Sequence, residues 1–296
     1  MKIKHHHCPV CDSDKVVFFL KAEDHLVSHE QFSLWKCADC SFVFTQDFPR
    51  EEEIGKYYQS QEYVSHSDSR KGLINSIYHF GRSLMLRVKF RMVASTTQSN
   101  RLMDYGCGTG YFPAFMKDKG FDVTGVEVDE KAREFARNQF GINVVSPQDF
   151  LAGKIEGSFD VITMWHVLEH VEKLDQVMLR LKAYLSGDGV LVIALPNCSS
   201  LDARFYKENW AAYDVPRHLW HFTPSAFEKL AQKHGMKITG MKRLVLDPFY
   251  NSMLSEKQKG NKFYFFAGII IGKLAYLESL INKRRSSSVV YLLRKS

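Results

Sequence analysis

Two pairs of cysteines, Cys8-Pro-Val-Cys11 and Cys37-Ala-Asp-Cys40, account for four of the six cysteines in the chain. Each pair sits on a tight turn that aims both sulfurs at one point, and 25 residues separate the pairs. Four thiolates so arranged form the tetrahedral donor set of a closed structural Zn2+ site, with no position left for a catalytic water. A disulfide or redox pair, or four free thiols, are the competing readings. A redox pair would be single and would open a helix beneath a strand, which is the setting of neither motif. Cys8, Cys11, Cys37 and Cys40 are therefore expected to hold Zn2+, and the metal to fold the first ~45 residues. The adjoining His5, His6 and His7 are surplus to such a site and read as a solvated end.

A second chemistry lies further on. Arg101-Leu-Met-Asp104-Tyr reads as a short apolar strand ending in an acid, and Gly106-Cys107-Gly108-Thr-Gly110 as a sharp turn. Tyr111 to Lys119 then makes a helix, and Asp122 to Val128 a second strand with Glu127 at its end. A glycine-rich first turn with an acid about 20 residues on places a ribose over the end of a parallel sheet. Dinucleotide binding would need G-x-G-x-x-G, but the third position is Tyr111 counted from Gly106 and Pro113 counted from Gly108. The Asp104 carboxylate would repel a pyrophosphate and suits an ammonium group. The ligand implied carries an amine and a ribose and no phosphate.

Leu102-Met-Asp-Tyr-Gly-Cys-Gly-Thr-Gly110 resembles motif I of the class I S-adenosylmethionine-dependent methyltransferases. Three further blocks follow in the order of that family: Val123-Thr-Gly-Val-Glu127, Ser158 to Val171 (SFDVITMWHVLEHV) and Leu185 to Asn197 (LSGDGVLVIALPN). The resemblance covers roughly residues 100 to 245. It implies a Rossmann-like α/β fold with a seven-stranded sheet, and S-adenosylmethionine as cofactor. It also implies that Asp104 and the backbone of Gly106, Cys107, Gly108 and Gly110 sit against the methionine moiety. Glu127 would take the ribose hydroxyls, Val128 would lie against the adenine, and Asp149 and Phe150 would meet the adenine edge and face. Met164, Trp165 and His166 would line the methyl side. Asp149 as a helix cap and Trp165 as core are the plainer alternatives.

Methyl transfer needs alignment and desolvation first, and a base only where the nucleophile must lose a proton. His166, His218 and His221 are the catalytic candidates, with Glu169 and His170 as further groups in reach of that role. Trp210 to Thr223 (WAAYDVPRHLWHFT) gathers aromatics, two imidazoles and an arginine. It is expected to form a substrate wall above the sheet, a packed corner being the alternative. With the cysteine pairs, this segment resembles bacterial methyltransferases of surface glycan and glycolipid assembly. The acceptor implied is a small molecule, probed first as a sugar or lipid-linked glycan. The alternatives are an RNA or protein acceptor, or a non-catalytic cofactor-binding protein.

The elements that must carry these groups divide 296 residues into a zinc ribbon (1–48), a helical linker or lid (49–98) and a methyltransferase domain (99–296) with an insert at 250–286 before the last strand. Short strands are expected at 16–20, 32–35 and 42–44. Helices are expected at 51–58 and 72–94, the latter from apolar residues at helical spacing. The tract 57–68 reads as a loop or a lid. An apolar fraction of 45% with 25% charged residues excludes disorder. The net charge of +7 is a weak signal for nucleic acid. The ribbon itself is acidic, with Lys15, Lys21 and Lys36 against six carboxylates between residues 8 and 44, and makes a poor phosphate grip. The longest apolar run, 263–272, is half of what a bilayer span needs, and the start carries no secretory pattern. The reading is a cytoplasmic protein. Its insert, 260–285, is either a core-covering or dimer helix or an interfacial helix on the inner membrane face.

Overall fold

The alternation read in the sequence becomes strands wherever β-branched and aromatic residues meet a partner strand, beginning with the cysteine module. The computed structural model describes residues 2–58 and 73–296. Strand β1 (Val16–Glu23) pairs antiparallel with β2 (Gln31–Cys37), and β2 with β3 (Val43–Gln46). The hairpin turn between β1 and β2 is folded around buried Asp24, whose carboxylate accepts from the backbone N–H of Leu26, Val27 and Ser28. Residues 51–54 form one helical turn and 55–58 continue it as a 3-10 turn. The tract 59–72, and with it most of the proposed lid, lies outside the described residues.

Seven further strands form the larger sheet: β4 (Arg101–Tyr105), β5 (Asp122–Val126), β6 (Asn143–Val145), β7 (Phe159–Trp165), β8 (Leu185–Pro196), β10 (Met236–Arg243) and β11 (Ser288–Lys295). Their order is β10-β11-β8-β7-β4-β5-β6, and β4 runs parallel to both β5 and β7. The order therefore reverses between β4 and β7. In open α/β sheets, ligands bind outside the carboxyl ends of the strands at such a switch point. The sheet is buried on its inner strands, with Val161, Ile162, Val192 and Ile193 among residues of no or almost no exposure, as sheets covered on both faces require.

The remaining strand, β9 (Trp220–His221), does not join that sheet. It pairs antiparallel with β3, Val43 opposite His221 and Phe44 opposite Trp220, so the fourth strand of the cysteine module comes from far down the chain. The sheet that sequence placed within residues 1–48 thus ends on a segment read there as part of the methyltransferase domain. Two units are built accordingly. One takes in Met1–Val64, Leu168–Glu172 and Ala194–Tyr291, and the other Ser65–Val167, Lys173–Ile193 and Leu292–Ser296.

The helix Leu73–Ala94 matches its sequence-based span to within a residue, and Thr223 caps the helix Pro224–Lys233 by accepting from Ala226 N–H. The insert forms two helices, Asp247–Gln258 and Tyr264–Ile281. The second is 18 residues long, and by length and composition it could cross a membrane. The sequence reading measured only the uncharged run to Gly272 against a bilayer span, although it followed the apolar character on to Ile281, and Lys273 does not interrupt the helix.

Candidate cofactor site and cysteine cluster

At the carboxyl end of β4 the chain turns through Gly106, Gly108 and Gly110, each in the left-handed region (φ +79°, +54° and +85°). A Cβ on Gly106 would lie 2.3 Å from a methyl carbon of Val167, so glycine is required by space as well as by conformation. Over Gly108 a Cβ would meet nothing within 4 Å, so this backbone lies open. The helix Tyr111–Asp118 begins directly afterwards.

Glu127, one residue past β5, is fixed against this loop. One carboxylate oxygen accepts from Gly108 N–H at 2.8 Å, the other from Val128 N–H at 2.8 Å and Asp129 N–H at 3.0 Å. Arg133 donates to the backbone carbonyls of Glu127 and Val128, which locks the strand end. Val128 stands 67% exposed beside it, an apolar surface facing solvent past the carboxyl end of β5.

Asp104 is buried at the end of β4 and accepts from Thr163 Oγ1 at 2.6 Å. Burial pushes its carboxyl up to about 7, against the Thr163 hydrogen bond and the nearby Lys89 ammonium, which pull it down. Near neutral pH this acid is poised, and a ligand cation placed against it would draw the proton off. Thr163 was not singled out in the sequence. The strand pairing that sets Thr163 of β7 directly beside Asp104 belongs to the fold. Lys89, on the long helix, carried no signal in the sequence either.

The side chains of several expected cofactor neighbours are engaged within the protein itself. Cys107 turns its sulfur into a small core with Ala136, Ile142 and Val144, and burial raises its thiol, so only its backbone can serve a ligand. Phe150 has no exposed surface; its ring stands edge-on to Tyr105 at 4.9 Å and packs on Tyr184. The ring expected on the adenine is a core ring, and Met164 is equally enclosed. Asp149 lies in the first turn of the helix Pro147–Leu151, which Ser146 caps: Ser146 Oγ donates to the Asp149 carboxylate at 2.7 Å and accepts from its N–H at 3.1 Å, and Lys154 pairs with it at 2.8 Å. Lys154 and Ser146 hold its carboxyl below the usual range. Trp165 is almost fully buried, edge-on to Phe112, with Lys89 Nζ 4.7 Å from its ring centroid. Its indole N–H finds no acceptor among the described residues. His166 follows β7 with φ +58°, a costly conformation for a non-glycine residue.

In the other unit, the segment expected to form a substrate wall is a packed corner. Trp210, Arg217, Trp220 and His221 are buried, and His218 nearly so. Thr45 Oγ1 donates to the carbonyl of His218 at 2.8 Å, so His221 Nε2, 3.0 Å away, must donate to that hydroxyl. That nitrogen holds a proton and cannot be the base, and burial pulls His221 well below its usual range. His218 Nδ1 donates to Ala212 O at 2.8 Å, and His170 Nδ1 to Arg217 O at 3.0 Å, with its pKa pulled down to about 4 by burial. Glu169, His170 and His218 bring one potential metal-ligand atom each to within 4.8 Å of one another.

The cysteine turns are two copies of one construction. The residue after the second cysteine, Asp12 or Ser41, is left-handed (φ +60° and +62°) and donates its N–H to the carbonyl of Cys8 or Cys37. Cys8 N–H returns a bond to Ser13 O and Cys37 N–H to Phe42 O, both at 2.9 Å. The four sulfurs lie within 4.8 Å of one another, Cys8 to Cys40 at 3.5 Å and Cys11 to Cys37 at 3.6 Å. A disulfide would need about 2.05 Å, and all four are free. A hydrogen bond between Cys8 and Cys40 lowers the first thiol and raises the second. His5 is no solvated end: it is half-buried, ringed by Phe44, Phe48 and Trp220, while His6 and His7 are exposed.

Residues 78–240 match a family model described as a methyltransferase domain, more than half of the chain. The chain belongs to this methyltransferase family. It is similar to a ubiquinone biosynthesis O-methyltransferase of Bordetella avium, 28% identical over 53% of this chain and 70% of that protein. A protein of the same name from Rickettsia typhi is 21% identical over 76% of this chain and 95% of the relative. Among solved structures, magnesium protoporphyrin IX methyltransferase of Synechocystis with bound S-adenosylhomocysteine superposes with a TM-score of 0.53 and 14% identity. That match covers 83% of this chain and the whole of the other, a likeness of fold. The methyltransferase is S-adenosylmethionine-dependent, as the sequence blocks implied.

Proposed function

We propose that this methyltransferase moves a methyl group from S-adenosylmethionine to an oxygen of a small-molecule acceptor. The observation that carries the reading is the pair of carboxylates at neighbouring strand ends, Asp104 and Glu127, flanking a glycine loop whose Gly108 N–H donates to Glu127 and whose backbone there lies open. In this reading Asp104 takes the donor's ammonium, and the backbone of Gly106 to Gly110 lies along its methionine part. Glu127 accepts from the ribose hydroxyls and Val128 covers the adenine, with Asp149 at its edge. Met164 backs the site from the core. Trp165 and His166 stand at its methyl side, where the free indole N–H offers a donor to the ligand.

The sulfonium supplies an activated leaving group, so the chain's own residues have to align the acceptor and exclude water. His166 is the side chain of this unit best suited to receive an acceptor proton. Its left-handed backbone directly follows β7, the strand that pairs with β4 and so leads to the glycine loop's side of the sheet. Oxygen as the methylated atom is supported by the names of the relatives above. The sugar or lipid-linked glycan expected from the sequence has for support only the resemblance of the 210–223 segment, which packs as structure.

We also propose that Cys8, Cys11, Cys37 and Cys40 hold a structural Zn2+. Tetrahedral zinc with Zn–S bonds of about 2.3 Å sets its sulfurs somewhat under 4 Å apart, and the paired turns already approach that spacing. Isothermal titration with S-adenosylhomocysteine tests the first proposal: saturable binding is expected, and no binding would refute it. Release of S-adenosylhomocysteine across a panel of hydroxylated small molecules then identifies the acceptor.

A further inference from the structure

The helix Tyr264–Ile281 turns its residues inside out for a helix in water. Its buried positions are Gly268, Gly272, Ala275 and Ser279, spaced along one stripe. That stripe packs on the helix Asp247–Gln258 so closely that a Cβ on Gly268 would lie 2.5 Å from Met253 Cα, and one on Gly272 2.7 Å from Phe249 Cα. The opposite stripe is Phe263, Phe266, Ile270, Leu274, Leu277 and Ile281, three or four residues apart and all exposed, Phe266 by 67% and Ile281 by 91%. A helix of a globular protein buries its large apolar side chains and exposes small or polar ones. An uncovered apolar face of this size marks a contact surface.

Charge names the occupant. Between residues 257 and 285 stand Lys257, Lys259, Lys262, Lys273, Lys283, Arg284 and Arg285 against one acid, Glu278, which Arg204 already pairs at 2.7 Å; Arg284 is itself held by Glu228, and Lys259 lies 3.9 Å from Glu256. Six of the seven basic residues sit at the two ends of the apolar stripe. Lys273, on its flank, has a stem long enough to carry its ammonium outward. We infer that this face seats on an anionic lipid surface, with its apolar stripe among the acyl chains and its basic ends against the headgroups.

The helix lies on the bilayer and does not cross it. Its small-residue stripe is closed by the helix Asp247–Gln258, whose Asn251, Ser252, Ser255 and Glu256 are buried and polar. Asn251 donates to Ser287 and Ser255 accepts from Ala211 N–H, which ties that helix to the protein. Lipid would receive the stripe only if this polar companion entered too, which hydrocarbon forbids. A second copy of the chain on the same face would bring the two sets of basic ends together, and repulsion disfavours it. The inference does not depend on methyl transfer.

Flotation of the full chain with phosphatidylcholine vesicles, with and without phosphatidylglycerol, tests it. The protein should float with the anionic vesicles and be released by high salt and by alkaline carbonate. The double variant Phe266→Glu with Ile270→Glu should lower the bound fraction about tenfold or more, with unchanged circular dichroism. Should that variant fold poorly, Lys259→Ser with Lys262→Ser provides a second arm and should weaken binding to the anionic vesicles alone. Failure to float with anionic vesicles would overturn the inference. So would a double variant that floats like the parent, resistance to carbonate, or a dimer that the double variant dissociates while flotation is unaltered.

Discussion

Arg217 donates from Nη2 to the Asp24 carboxylate at 2.8 Å, across 193 residues of sequence and with both side chains buried. The same guanidinium bonds Asp214 through Nε and Nη2 and the carbonyl of Tyr57 through Nη1. One planar group thus holds the β1–β2 turn, Tyr57 in the short 3-10 turn, and the corner before β9. Burial would raise Asp24, but Ser28 N–H and Arg217 hold it below the usual carboxylate range. Arg217→Ala would leave two carboxylates without their cation, and should cost about 3–5 kcal/mol in urea unfolding. Arg217→Lys should not restore it, since a point charge cannot reach three acceptors in a plane. Parent-like stability in either variant would show the guanidinium to be dispensable.

Because Asp24 and Asp214 both titrate below their usual values, their contribution is complete above about pH 4, the ordinary carboxylate value. It should be lost as pH falls through the lower, folded-state values. Asp104 has the opposite sign. Its carboxyl is raised to about 7, so the folded protein keeps a proton there that the unfolded chain releases from about pH 4 upward. Between those limits stability without ligand should fall with rising pH, by an amount on the order of 4 kcal/mol. Asp104→Asn should flatten that part of the profile and melt higher than the parent at pH 8. It should also bind S-adenosylmethionine far more weakly, because the amide offers no charge to an ammonium. Thermal melts at pH 5 and pH 8, with titration calorimetry, check both halves.

The sequence carried the sheet because its signals are local. Short apolar strands end in Asp104 and Glu127, and a glycine turn follows the first. It carried the four cysteines for the same reason. What it missed depends on distant pairing. Trp220 and His221 read as substrate wall because aromatics and imidazoles cluster there, yet they form a strand on β3 and a packed corner. Phe150 read as a ligand contact from its position after Asp149, but Tyr105 and Tyr184 close around it. Only the fold could show that His221 Nε2 must donate to Thr45, or that Thr163 shields Asp104.

The cysteine module should contain about one zinc per chain by plasma mass spectrometry, lost in Cys11→Ser or Cys37→Ser. Zinc sites of this kind contribute on the order of 10 kcal/mol to folding. Because Phe42, two residues past Cys40, stacks on Trp220 at 5.9 Å, stripping the metal should expose that indole. Chelation is therefore expected to red-shift tryptophan emission, and re-addition of Zn2+ to reverse the shift. Unchanged emission with metal demonstrably removed would mean that the β3–β9 pairing stands without it.

Glu127 gives the sharpest test of the cofactor reading. Its two oxygens already accept from three backbone N–H groups, so the loop and the strand end hold the carboxylate in place before any ligand arrives. A ribose bonded to it would add two charge-assisted hydrogen bonds, each worth about 1.5–3 kcal/mol. Glu127→Gln keeps the size but loses the charge, and its amide NH2 would face the N–H of Gly108 or Val128. Binding of S-adenosylhomocysteine should weaken by roughly a hundredfold or more. Glu127→Ala should weaken it comparably, and also loosen the turn at Gly108. Because the group is half exposed, both variants should keep near-parent stability without ligand, which separates lost contact from lost fold. Affinity retained within a few-fold in both would place the ribose elsewhere.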